Sequence, residues 1–106
     1  MLKSWLFLIG AILFEVVGTT SMKLSQGFSK LWPSILMFVM YGLSLSCEAV
    51  AMKRLDVSIV YAIWSGLGTA MIAVIGVILF RESMSTTKLI SLSLIILGVI
   101  GLNFSH

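Results

Sequence analysis

Charge is scarce in this chain: Lys, Arg, Asp and Glu make up 10% of its 106 residues, while 59% are hydrophobic. A water-soluble domain typically carries about 25% charged residues, so there is too little polar surface here to cover a globule in water. The apolar content must face lipid. The length leaves room for one small membrane domain over residues 1–106 and no separate soluble one. Cysteine is limited to Cys47, inside an apolar stretch, which rules out an intrachain disulfide and says little about redox compartment. The lone histidine, His106, is terminal, and there is no Cys/His cluster, phosphate-binding glycine loop or nucleophile–base pair. A metal site, a bound cofactor and an enzymatic activity therefore have nothing to rest on.

Basic residues are present, seven Lys and Arg against four acids, for a formal charge of +3. They stand singly or in pairs between apolar runs, without the basic stripe that a nucleic-acid backbone would follow. They read as interfacial anchors. Lys3 and the apolar run after it loosely resemble a secretory leader, but residues 15–21 lack a small-residue cleavage pattern. Removing the segment would leave an equally hydrophobic chain with nothing to secrete, so it is read as a retained helix.

A spanning helix needs roughly 20 mostly apolar residues to cross a hydrocarbon core of about 30 Å. Four such runs are present. The first covers residues 4–21 and is closed by Lys23 and the polar Ser25, Gln26 and Gly27. The second starts at Pro33, a residue suited to a helix's first turn, and ends before Lys53 and Arg54. The third covers residues 57–80 and stops at Arg81 and Glu82, and the fourth covers residues 89–104. The runs are continuously apolar rather than alternating, and too few for a β-barrel. Trp5, Trp32 and Phe104 fall near span ends, where aromatic rings favour the headgroup region. The fold class is thus an all-α membrane protein with four transmembrane helices.

Lys/Arg asymmetry between loops sets the orientation of such a protein. One side carries Lys3, Lys53 and Arg54; the other carries Lys23, Lys30, Arg81 and Lys88. Three against four is almost no bias. Both orientations are expected, with oppositely inserted copies pairing as an antiparallel dimer; the alternative is one orientation forced by a partner.

Glu15 stands near the middle of the first span. An intramembrane acid costs about 3 kcal/mol on insertion scales, so it faces the protein interior. Leu8, Ala11, Ile12, Glu15, Gly18, Thr19 and Met22 share its helix face. Ala11, Gly18 and Thr19 leave space around the carboxylate and supply a hydroxyl, as a small-molecule pocket requires. No span holds a central basic residue to neutralise Glu15, and a structural clip would more cheaply be Asn, Ser or Thr. In the third span Tyr61, Trp64 and Gly68 form one face, and aromatic rings attract organic cations by about 2 kcal/mol when desolvated. Ordinary packing is the competing reading of that stripe, with Gly66 and Gly68 marking close helix approach. Tyr41, Ser44, Leu45 and Glu48 form a comparable stripe in the second span. Glu48 is either an accessory acid or a residue that snorkels to pair with Lys53 or Arg54. Ser91, Leu94, Gly98 and Gly101 make a stripe of small residues on the fourth span, assigned to the dimer contact, with packing inside the protomer as the alternative.

Glu15 in the context FEVVGTTSMKLSQGFSKLWPS, followed by YAIWSGLG at residues 61–68, resembles the small multidrug resistance family of bacterial exporters. The resemblance covers residues 9–103 in length, span number and motif order. It implies a multi-pass protein of the bacterial cell membrane that works as an antiparallel dimer and exchanges protons for cationic hydrophobic molecules. Carried over by position, Glu15 is the proton- and substrate-binding carboxylate. Leu8, Ala11, Ile12, Gly18, Thr19, Tyr41, Tyr61, Trp64 and Ser65 line the substrate site. The Gly-Thr-Thr after Glu15 and Ser65 after Trp64 resemble the quaternary-ammonium branch, whereas the guanidinium-exporting branch usually shows a Trp near Gly18. Ser91 stands at a position often Gly in the family, and Ser46 and Glu48 at positions commonly apolar or aromatic. Some members are obligate pairs of unlike subunits, against which the weak charge bias argues. Guanidinium export and a non-transporting assembly subunit are the alternative functions. Placement of Glu15 against lipid, or beside a fixed basic neighbour, would remove the exporter reading.

Overall fold

The computed structural model describes residues 2–104, and His106 lies outside them. The chain forms four α-helices: α1 (Leu2–Leu24), α2 (Leu31–Ala51), α3 (Val57–Phe80) and α4 (Thr86–Phe104), with no strand among the described residues. Each is long and apolar enough to cross a membrane. The 24 residues of α3 extend about 36 Å at 1.5 Å per residue, more than the hydrocarbon core requires.

The third span has the bounds its apolar run predicts. The others outrun theirs: α1 continues to Leu24, α2 begins at Leu31, and α4 begins at Thr86. Hydropathy marks the stretch that lipid covers, but backbone groups at the interface still pair best within the helix. Pro33 accordingly is the third residue of α2, within its first turn, where the missing N–H is still among the unpaired ones.

Short, internally bonded turns join the helices. After α1, Ser25 donates its hydroxyl to the Met22 carbonyl at 2.7 Å and accepts the Phe28 N–H at 3.2 Å. Gln26, Gly27 and Phe28 take positive φ there, which reverses the chain within a few residues. At the end of α3, Arg81 is left-handed at φ 55° and the Glu82 N–H donates to the Gly76 carbonyl at 3.0 Å. That bond, which reaches back six residues, closes the helix and satisfies an otherwise orphaned carbonyl.

Packing is uneven. α1 lies mainly along α2 and also against α3, while α4 packs on α3. Leu8, Ile12 and Val16 of α1 meet Ile59, Val60 and Ile63 of α3 in the core, with Ala51 and Leu55 at the α2 end. α4 has no buried residue at all. It docks where Gly66 lacks a side chain: a Cβ there would stand 2.5 Å from Val99 Cγ2 and 3.3 Å from Ile95 Cγ2. The Cα atoms fill a slab of 42 × 34 × 16 Å, thin in one direction for a four-helix protein.

Candidate functional site

Glu15 sits at mid-length of α1, and one turn later Thr19 lies directly above it, because residues four apart share a helix face. The Thr19 hydroxyl donates to Glu15 Oε1 at 3.0 Å. The same hydroxyl oxygen is 2.5 Å from the phenol of Tyr41 on α2. Threonine has one proton to give. With that proton on Glu15, the Tyr41 O–H donates to Thr19, and a directed chain runs from Tyr41 through Thr19 to the carboxylate. Gly18 makes the Tyr41 ring position available, since a Cβ at 18 would lie 2.7 Å from Tyr41 Cδ1 and 3.3 Å from Met40 Cβ.

The second carboxylate oxygen is held differently. Oε2 is buried and has no hydrogen-bond partner. It lies over the backbone of Gly68 on α3, where a Cβ would stand 2.8 Å away. Among the described residues no Lys or Arg pairs with Glu15. Glu15 is half-buried, and no fixed basic neighbour holds it among the described residues. It is clamped between a hydroxyl and a glycine backbone, with half of its acceptor capacity unused.

One turn further toward the start of α1, a second polar link crosses the helices. Ser44 on α2 is buried and donates to the Ala11 carbonyl at 2.7 Å. The indole N–H of Trp64 on α3 donates to Ser44 Oγ at 3.1 Å. Ser44 thereby fixes the plane of Trp64, which stands one turn before Gly68. The Tyr61 ring centroid is 5.9 Å from that of Trp64, with the rings tilted by 55°. Tyr61 itself is 59% exposed. Ser65 spends its hydroxyl on the Tyr61 carbonyl at 2.7 Å.

Of the residues expected to line the site, the structure gathers Glu15, Gly18, Thr19 and Tyr41 into one cluster, with Trp64 next to it. Leu8, Ala11 and Ile12 are buried in the helix packing. Leu8 and Ile12 also form the inner wall of an apolar cavity of about 270 Å³ between α1, α3 and α4. Glu15 is not among the residues lining that cavity. A single protomer thus holds the Glu15 carboxylate apart from this apolar hollow.

Glu48 departs from the snorkelling expectation. It is 6% exposed, on the inward face of α2 with Ser44 and Ala51, and among the described residues it forms no ion pair with Lys53 or Arg54. One turn of helix short of the interface, its side chain follows the buried face of α2. On α4, Ser91, Leu94, Gly98 and Gly101 are all exposed. A Cβ at Gly98 or Gly101 would meet nothing within 4 Å. The docking of α4 on α3 uses Ile95 and Val99 and leaves this stripe free in the protomer.

Periodicity puts Ser44 on a stripe of α2 and Gly68 on the aromatic face of α3, but the bond of Trp64 to Ser44 and the contact of Gly68 with Glu15 do not follow from it. A serine in mid-span is the signal for the first. The second depends on interhelical register, which one sequence does not carry.

Comparison with known proteins gives a consistent picture. A family model described as Small Multidrug Resistance protein matches residues 3–95. The chain is 53% identical over 100 residues to an uncharacterized membrane protein, YvaE, of Bacillus subtilis, covering 94% of this chain and 84% of that one. It is 42% identical over 103 residues to the multidrug resistance protein mmr of Mycolicibacterium paratuberculosis, covering 96% of each. It is also 42% identical over 102 residues to the guanidinium exporter of Escherichia coli K12, covering 96% of this chain and 97% of that protein.

Proposed function

The chain belongs to the small multidrug resistance family, whose members are multi-pass bacterial membrane transporters and not enzymes, and from that premise we propose that it is a proton-coupled exporter of organic cations that works as an antiparallel dimer, with Glu15 as the exchange site. The observation that carries this reading is the state of Glu15: one oxygen held by Thr19, the other buried against Gly68 without a donor. A carboxylate with a permanent cation beside it has no reason to exchange. One with an unfilled acceptor in a low-dielectric setting attracts either a proton or an organic cation, and the two compete for the same charge.

Transport follows from that competition. On the cytoplasmic side the cation displaces protons; on the outside, proton excess displaces the cation. A dimer open to one side at a time turns the proton gradient into efflux. Two copies of Glu15 facing one cavity titrate as a coupled pair rather than independently. The thin protomer, the exposed stripe on α4 and the near balance of basic residues between the two sides all favour a second, oppositely inserted copy. Trp64, fixed by Ser44, supplies an aromatic face one turn from the carboxylate, suited to a quaternary ammonium or phosphonium cation.

Guanidinium is the second reading of the substrate, favoured by the relatives that bear the name guanidinium exporter at the same level of identity as the multidrug resistance protein. Both substrates demand an ionisable Glu15. Purified protein is titrated with tetraphenylphosphonium and, separately, with guanidinium while proton release is recorded. Release on tetraphenylphosphonium supports multidrug export, and release on guanidinium alone supports the second reading. No release with either cation defeats the exchange mechanism and favours a non-transporting assembly subunit.

A further inference from the structure

At the membrane end where α1 begins and α2 finishes, Lys3, Ser4, Val50, Lys53 and Arg54 surround a cavity of about 250 Å³. Lys3, Lys53 and Arg54 are all of the Lys and Arg residues on that side of the four-span topology. They converge on one concavity instead of being spread as separate anchors. Among the described residues none of the three forms an ion pair, although Asp56 follows closely in sequence. At the opposite end Lys23 and Lys30 line a wider concavity of about 590 Å³, but there Lys23 lies over the Phe80 ring at 5.9 Å, and Lys88 donates to the Ser83 carbonyl at 3.4 Å.

Ser4 provides the second observation. It is 5% exposed, lines the cavity, and its hydroxyl has no hydrogen-bond partner among the described residues. The first turn of α1 carries no acid, so its free N–H groups add uncompensated positive character at the same place. Cations after the C-terminus of α2 are favoured by the helix dipole, which accounts for Lys53 and Arg54 near that helix. It does not account for Lys3 and Ser4, a buried residue, lining the same cavity. Three cations and a hydroxyl donor around one hollow match the chemistry of a phosphate group. The site lies where the apolar spans give way to the polar headgroup layer.

We propose that this cavity binds the phosphate of an anionic phospholipid headgroup. Basic groups near an anionic lipid surface each contribute about a fivefold preference. Native mass spectrometry of the full chain, offered equal phosphatidylglycerol and phosphatidylcholine, therefore shows retained phosphatidylglycerol in roughly hundredfold excess. Lys53→Gln/Arg54→Gln lowers that preference roughly thirtyfold, and the fold-neutral Lys3→Gln lowers it about fivefold. Ser4→Ala, which removes a donor to the phosphate that both lipids carry, lowers retention of both severalfold, and Lys30→Gln at the other end leaves the preference unchanged. Equal retention of the two lipids by the native protein overturns the proposal, as does an equal loss with Lys30→Gln or no loss with Lys3→Gln. Tighter binding of inorganic phosphate in the absence of lipid overturns the headgroup assignment and points to a soluble phosphate.

Discussion

The carboxylate of Glu15 rests against the backbone of Gly68, where a methyl group would stand 2.8 Å from Oε2 and 3.4 Å from Cδ. The atoms that must yield are the far end of a flexible side chain, not backbone. Gly68→Ala therefore displaces the carboxylate while the helix keeps its shape, and alanine is the better helix former by about 1 kcal/mol. The expected outcome is unchanged or raised thermal stability with tetraphenylphosphonium affinity lowered about tenfold or more, equivalent to about 1.4 kcal/mol. Calorimetric titration beside a melting curve separates the two effects.

Glu15→Gln keeps the volume and removes the charge. Proton release on adding organic cation disappears, and resistance to cationic antiseptics in cells disappears with it. In the native protein, binding weakens as pH falls, because protons occupy the group that the cation needs. Where one proton is displaced per cation, the slope approaches about tenfold per pH unit on the acid side. Glu15→Asp keeps the exchange. A Gln variant with the native pH slope moves the exchange site to another residue.

Thr19 and Tyr41 act on Glu15 as one chain, so their substitutions should not add. Thr19→Ala removes a hydrogen bond to a charged acceptor, worth about 1.5–3 kcal/mol, and strands the Tyr41 phenol. Tyr41→Phe removes only the outer link and costs less. The double variant should bind tetraphenylphosphonium about as well as Thr19→Ala alone. Additive losses would mean that Tyr41 touches the cation independently of Thr19.

The spans were readable because lipid imposes a length and forbids charge, and Lys23, Lys53, Arg54 and Arg81 interrupt the apolar runs at the right intervals. Thr19 was readable beside Glu15 because both belong to one helix, where spacing of four fixes the geometry. What crosses between helices was not. The contact of Gly68 with Glu15, and the bond from Trp64 to Ser44, depend on how α3 and α2 slide along α1. Of the two readings left open for Glu48, snorkelling fails for a related reason: five residues from Lys53 in sequence suggests reach, but the buried face of α2 carries it inward. Helix ends were missed by a few residues where polar interfacial turns remain helical, as at Thr86–Lys88.

Ser44 offers a check on the aromatic wall. Its hydroxyl is buried and serves both Ala11 and Trp64. Ser44→Ala leaves the Trp64 indole N–H without its partner, a cost of about 1–3 kcal/mol for a buried donor. The melting midpoint should fall, and Trp64 emission should broaden as the ring loses its fixed plane. Proton binding at Glu15 should persist, since that carboxylate is held by Thr19. Loss of proton binding as well would show that the two polar links form a single network.

The α4 stripe tests the dimer without touching the site. A Cβ at Gly98 or Gly101 would meet nothing within 4 Å in the protomer, so larger side chains there are accommodated by a single chain. Between helices in lipid, association depends on small residues that allow close approach. In a twofold assembly every substitution occurs twice. A loss of about 1.4 kcal/mol per copy at Gly98→Val thus raises the dimer dissociation constant about a hundredfold. Sedimentation equilibrium in detergent should show the variant shifting to monomer while its circular dichroism stays helical. Cation binding should fall in parallel with the dimer fraction, because a single protomer holds its apolar cavity apart from Glu15. A Gly98→Val/Gly101→Val protein that remained dimeric would move the interface away from this face of α4. Monomers that still bound tetraphenylphosphonium normally would place a complete site within one chain.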